Sequence, residues 1–187
     1  MDVNSIKFFG DMDIINKRIS TFGSNFSETI YNKDSWYIKA HDLFSVANIL
    51  KISIQQELNN ELNDESQGLR VTLNSTNLSN SYMLLIGFAV EVFLKGIFIS
   101  REPHNQASLN KMFRLSHNLK DLVSYLEIEI TESEEEIINR LTSYTIWDGR
   151  YPTPKKENEF SNIRGVFLYN TDFGTIESLI KKLETEF

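Results

Sequence analysis

The chain has 187 residues, a length that fits one domain or one domain with a tail. Its residues are 41% hydrophobic and 12% aromatic, enough to fill a core, and a charged fraction of 24% excludes a wholly disordered chain. With no cysteine and a net charge of -7, it excludes a disulfide scaffold, a zinc–thiolate site and a thiol nucleophile, and it argues against binding nucleic acid through the surface as a whole.

Three prolines and eight glycines are too few for a turn-rich sandwich or barrel, so composition points to a soluble, cytoplasmic, helical domain. The opening Met1-Asp2-Val3-Asn4-Ser5 lacks the basic flank and apolar core of a signal peptide. Residues 1–33 show little sustained period and read as an N-terminal extension, with a short helix near Asp11–Arg18 and irregular chain around it. From Asp34, expected as an N-cap, Trp36, Tyr37, Ala40, Leu43, Phe44, Ala47, Leu50 and Ile54 recur at helical spacing and predict a long helix to Leu58 or Leu62. Asn59–Ser81 is rich in Asn, Ser, Asp and Thr and predicts a loop.

The run Tyr82–Ile99 approaches transmembrane length, but it carries Glu91 and Lys95 at its middle. Four residues apart, those two face each other on a helix, so the run reads as the central buried helix of a bundle rather than a membrane span. Pro103 ends it, and Arg101–Ser116 forms a connector containing a short helix. Ser116 is the expected N-cap of the next helix, which puts Leu119, Leu122, Val123 and Leu126 on one face. Thr131 and Glu134 form a capping box, and the acid run Glu132–Glu136 suits a helix N-terminus better than a metal site. Ile137, Ile138, Leu141, Tyr144 and Thr145 continue its inner face until Gly149, Pro152 and Pro154 stop it. Residues Val166–Tyr169 read as irregular or strand-like, and a last helix is expected from Thr175 to about Glu184. The fold class is therefore all-α, a bundle of four or five helices over residues 34–187.

Three features carry chemistry. Glu91 and Lys95 put charge inside the most apolar helix, either as a structural pair or as a polar site on the inner face of the bundle. His117 sits at a helix start, as a packing residue or as a proton-transfer group. Trp147-Asp148-Gly149-Arg150-Tyr151-Pro152 delivers Arg150 from a stiff turn, either to cap the helix or to clamp a phosphate with Trp147 or Tyr151 stacking on a base. Arg101, Lys111, Arg114 and Lys120, with Arg150, Lys155, Lys156 and Arg164, would form a local basic patch if their two stretches converge. The three histidines are scattered, so neither a metal site nor a cofactor is expected.

The ordered set Glu91-x-x-x-Lys95-Gly96, Ser116-His117-Asn118-Leu119-Lys120-Asp121-Leu122 and Trp147-x-Gly149-Arg150-Tyr151-Pro152 resembles HEPN-like helical domains of bacterial proteins, over about Asp34–Lys155. The resemblance implies a four- or five-helix bundle, a homodimer, and membership of a bacterial defence or toxin–antitoxin system. It implies either a metal-independent endoribonuclease or a non-catalytic module that dimerises or binds RNA, a nucleotide or a partner protein such as a cognate antitoxin. The best-known HEPN signature separates an arginine and a histidine by four to six residues. Here Arg101 and His104, and Arg114 and His117, have only two between them, so that site does not carry over. The candidate catalytic set is instead His117, Arg150 and Glu91, with Lys95, Trp147, Tyr151, Arg114 and Lys120 as candidate binding residues.

Overall fold

The structure is a computed structural model that describes residues 25–63, 73–115, 117–148, 150–151 and 168–187. All regular structure among these residues is helical: α1 (Phe26–Tyr31), α2 (Lys33–Asn63), α3 (Leu73–Arg101), α4 (Gln106–Leu115), α5 (Leu119–Tyr125), α6 (Glu132–Ser143), a π-helical turn (Tyr144–Asp148) and α7 (Asp172–Thr185). The all-α class holds, with seven α-helices among the described residues, two of them no longer than seven residues.

α3 is the centre of the bundle. Met83, Ile86, Val90, Phe93, Leu94, Ile97 and Phe98 are fully buried, because α2, α5, α6, the π-helical turn and α7 all pack on it. Burial of each such side chain contributes about 1.5–3 kcal/mol relative to exposure. The stretch Leu78–Arg101 is long and apolar enough to cross a membrane, yet 72% of its most apolar window is buried inside the protein. α2 runs alongside α3 in the most extensive helix pair. Gly96 permits that approach, since a Cβ there would lie 2.8 Å from the Trp36 Cβ.

The helix boundaries depart from expectation in ways that trace to caps. Asp34 lies in the first turn of α2, and the Asn32 Oδ1 accepts its N–H at 3.0 Å. α1 falls where irregular chain was expected; the Asn25 side chain caps it by accepting the Glu28 N–H at 2.9 Å. The expected loop over 59–81 is helical at both ends, since α2 extends to Asn63 and α3 begins at Leu73. Helix propensity is a weak prior, and two long packed helices override it here. Asn118 caps α5 by accepting the Lys120 and Asp121 N–H groups, a role expected of Ser116, which lies outside the described residues. The Thr131–Glu134 capping box forms as expected, with the Thr131 N–H donating to Glu134 at 2.7 Å. α7 starts three residues before the expected Thr175, because the Asp172 carboxylate accepts the Tyr169 N–H and a two-pronged donation from Arg140. The expected helix at Asp11–Arg18 lies outside the described residues, as do Val166 and Phe167 of the expected Val166–Tyr169 segment.

Candidate functional site

Phe88, Glu91 and Lys95 follow one another at spacings of three and four, so they form a single stripe along α3. At 1.5 Å per residue the stripe is about 10 Å long. Each member meets a different element. Arg150, just beyond the π-helical turn, places its guanidinium carbon 5.9 Å from the Phe88 ring centroid. His117, just before the cap of α5, meets Glu91. Phe113 on α4 meets Lys95, whose Nζ is 5.9 Å from its ring centroid.

The centre of the stripe is a three-membered charge network. Glu91 and Lys95 are only 5% and 8% exposed, and the Lys95 Nζ donates to Glu91 Oε1 at 2.6 Å. The His117 Nδ1 lies 2.9 Å from Glu91 Oε2 and 3.1 Å from Oε1, so both carboxylate oxygens face the imidazole. The His117 side chain is itself 43% exposed. This is a buried carboxylate fixing one ring nitrogen of a surface histidine, while a lysine offsets the carboxylate's charge. Among the described residues no hydrogen bond occupies the other ring nitrogen, Nε2.

Arg150 joins this network through the backbone. The buried Thr145 hydroxyl is 3.0 Å from the His117 carbonyl oxygen and 3.0 Å from that of Thr142. One Arg150 nitrogen, Nη2, donates to the carbonyls of Thr145 and of Ile146, the latter at 2.7 Å. Arg150 thus caps the π-helical turn while its guanidinium stays near Phe88 and near the exposed Tyr151, 5.6 Å from the Tyr151 centroid. The close approach that makes Thr145 the connector depends on Gly87. A Cβ at that position would fall 2.7 Å from the Thr145 Cγ2 and 3.3 Å from the Leu141 carbonyl oxygen.

The candidate residues therefore divide. Glu91, Lys95 and His117 meet directly, Arg150 is one hydrogen-bonded residue away, and Arg114 lies exposed beside Phe113. Lys120 instead pairs with Glu135 at 2.7 Å, and the Trp147 side chain lies outside the described residues. The expected basic patch is largely engaged internally. Arg101 pairs with Glu186 and donates to the Leu126 carbonyl, and Lys111 donates to the Tyr125 hydroxyl. Lys155, Lys156 and Arg164 lie outside the described residues.

Sequence reasoning missed Phe88, Phe113, Thr145 and the π-helical turn. The 88/91/95 spacing could have revealed Phe88. A single widened turn has no sequence signature, although such turns recur at functional sites. Among the described residues no three His, Asp or Glu side chains gather as a metal-ligand set. Compared with family models, curated proteins and solved structures, the chain matches none.

Proposed function

We propose that this chain is a HEPN-like, homodimeric protein of a bacterial defence or toxin–antitoxin system, acting in the cytoplasm as a metal-independent endoribonuclease. The observation that carries this reading is the half-exposed His117, held through Nδ1 by the buried Glu91. An imidazole fixed at one nitrogen presents the other to a substrate in a set direction, which is what general base catalysis requires. In the proposed step, His117 Nε2 takes the proton of a ribose 2′-hydroxyl. The 2′-oxygen then attacks the adjacent phosphorus, the P–O5′ bond breaks, and water protonates the leaving 5′-oxygen. The products are a 2′,3′-cyclic phosphate and a 5′-hydroxyl. Arg150, at one end of the stripe, supplies positive charge to the phosphorane through the guanidinium nitrogens that the Thr145 and Ile146 carbonyls do not occupy. Lys95 holds Glu91 in place through its bond to Oε1 at 2.6 Å.

A second reading, a non-catalytic HEPN-like module that binds RNA, a nucleotide or a partner protein, is favoured by Arg150 alone. Its Nη2 is committed to two backbone carbonyls, as in a structural cap. Incubation of total RNA and transfer RNA with the protein in excess chelator separates the two. Cleavage by the wild type that disappears in folded His117→Ala and Arg150→Ala supports the nuclease. Binding without cleavage supports the module.

A further inference from the structure

We infer that the outward face of α2 is a contact between two copies of this chain, packed back to back with α2 against the partner's α2. The inference rests on the homodimer of the reading above and not on its chemistry. Ala40, Ala47 and Ile54 are buried against the bundle and recur at the same helical spacing, so they define the inner side of α2. At about 100° per residue, Ile49 lies about 160° round the helix from Ala47. Val46, Ile49 and Ile52 are nevertheless large and apolar, and they are 50%, 57% and 56% exposed. Among the described residues no other helix leaves three such side chains open on one face.

The composition of this face selects a second copy as its occupant. Each chain carries a net charge of -7, so an uncharged face is where two copies meet with least repulsion. Between Asp42 and Glu57 the only charged residue is Lys51. It is turned to α7, where it pairs with Glu177 and lies 5.5 Å from the Phe173 ring centroid. The polar residues beside the stripe include Ser45, Ser53 and Gln56, whose side chains both donate and accept hydrogen bonds. Such groups satisfy their own kind across a two-fold axis, as a patch of one charge sign does not. The order of residues along the helix is also self-matching. Two antiparallel copies of α2 crossing at Ile49 set Ile49 on the partner's Ile49, Val46 on the partner's Ile52 and Ser45 on the partner's Ser53. The face is remote from the proposed chemistry. Gly96 marks the side of α3 that meets α2, and Glu91 lies about 140° round α3 from it, so the two His117 imidazoles point away from the contact.

Sedimentation velocity of the whole 187-residue chain, from low to high micromolar concentration, tests the contact. Wild type is expected to sediment as a species of twice its 21.7 kDa. Ile49→Glu and Ile49→Lys each set two like charges face to face on the two-fold axis. Each is expected to weaken the dimer about 100-fold or more. Their circular dichroism should match wild type, because Ile49 is exposed in the single chain. An equal mixture of the two variants is expected to regain the dimer as a one-to-one pair, which general destabilisation would not produce. If Ile49→Glu dimerises as well as wild type, the α2 face is overturned and the homodimer stands on another surface. If both variants are monomers and their mixture stays monomeric, the crossing at Ile49 is overturned. A monomeric wild type at the highest concentration overturns this inference and the homodimer together, while RNA cleavage at His117 stands or falls by its own assay.

Discussion

Replacing Glu91 and Lys95 singly and together, as Glu91→Leu, Lys95→Met and the double variant, asks whether the pair stabilises the bundle or merely neutralises itself. At 2.6 Å and an effective dielectric constant of about 20 the gross attraction is about 6 kcal/mol. Stripping water from each ion costs several kcal/mol, so the intact pair contributes little net stability. Removing one partner is different. Glu91→Leu leaves an ammonium that is 8% exposed, with the Phe113 ring 5.9 Å away. Lys95→Met leaves a carboxylate that is 5% exposed and still bonded to His117. Each single variant is expected to lose about 3–5 kcal/mol, Lys95→Met at the lower end because His117 remains. The double variant fills the same space with apolar atoms and is expected to fall within about 1 kcal/mol of wild type. Urea unfolding of all four proteins gives the coupling directly. Additive losses would refute the reasoning, because they would mean that neither charge depends on the other for its burial.

Three further outcomes follow from the packing. Gly87→Ala drives a methyl group into Thr145, and overpacking of about 1–3 kcal/mol outweighs the roughly 1 kcal/mol gained in helix propensity. Thermal melts should show a net loss, and the proposed RNA cleavage should fall further because the Thr145 hydroxyl bonds the His117 carbonyl. Arg140→Ala removes both guanidinium bonds, at 2.6 and 2.7 Å, from the buried Asp172 and leaves it the Tyr169 N–H but no cation, which should cost about 3–5 kcal/mol in urea unfolding. Burial raises the Glu134 carboxyl, but bonds from Lys182 and from the Thr131 N–H and hydroxyl outweigh it and hold the group below the usual glutamate range. Its stabilising contribution is therefore full above the unfolded-state value near 4.3 and lost as pH falls through the lower folded value. Urea unfolding of wild type and Glu134→Gln should differ at pH 7, and the gap should close as the solution is acidified below pH 4.

The parts of the fold legible in the sequence are those set by burial and caps. Apolar residues at helical spacing marked α2, and a near-continuous apolar run marked α3 as the central helix. Thr131 and Glu134 marked the start of α6 because that pair satisfies two orphan backbone donors reciprocally. Where polar residues fill a helix end, as at Asn59–Asn63 and Leu73–Ser81, local composition pointed to a loop and the chain is helical instead. Of the site, Glu91 and Lys95 were legible as charges out of place in an apolar helix. That Glu91 orients His117 or Arg150 through a hydrogen bond was expected; that the partner is His117, while Arg150 bonds backbone carbonyls, was not legible, since His117 comes 26 residues later and meets Glu91 where α5 docks on α3. The link from Arg150 to His117 through Thr145 depends on the widened π-helical turn and on Gly87, which composition and periodicity do not encode.

In the proposed function the Glu91-held imidazole of His117 cleaves RNA. The most direct measurement is the initial rate at which wild type and His117→Ala cleave one single-stranded RNA oligonucleotide in excess chelator, with matched circular dichroism spectra. The expected result is a wild-type product ending in a 2′,3′-cyclic phosphate and a rate lower by about 10²–10⁴ in His117→Ala, the usual weight of one general acid–base group. Equal rates for the two folded proteins would contradict it.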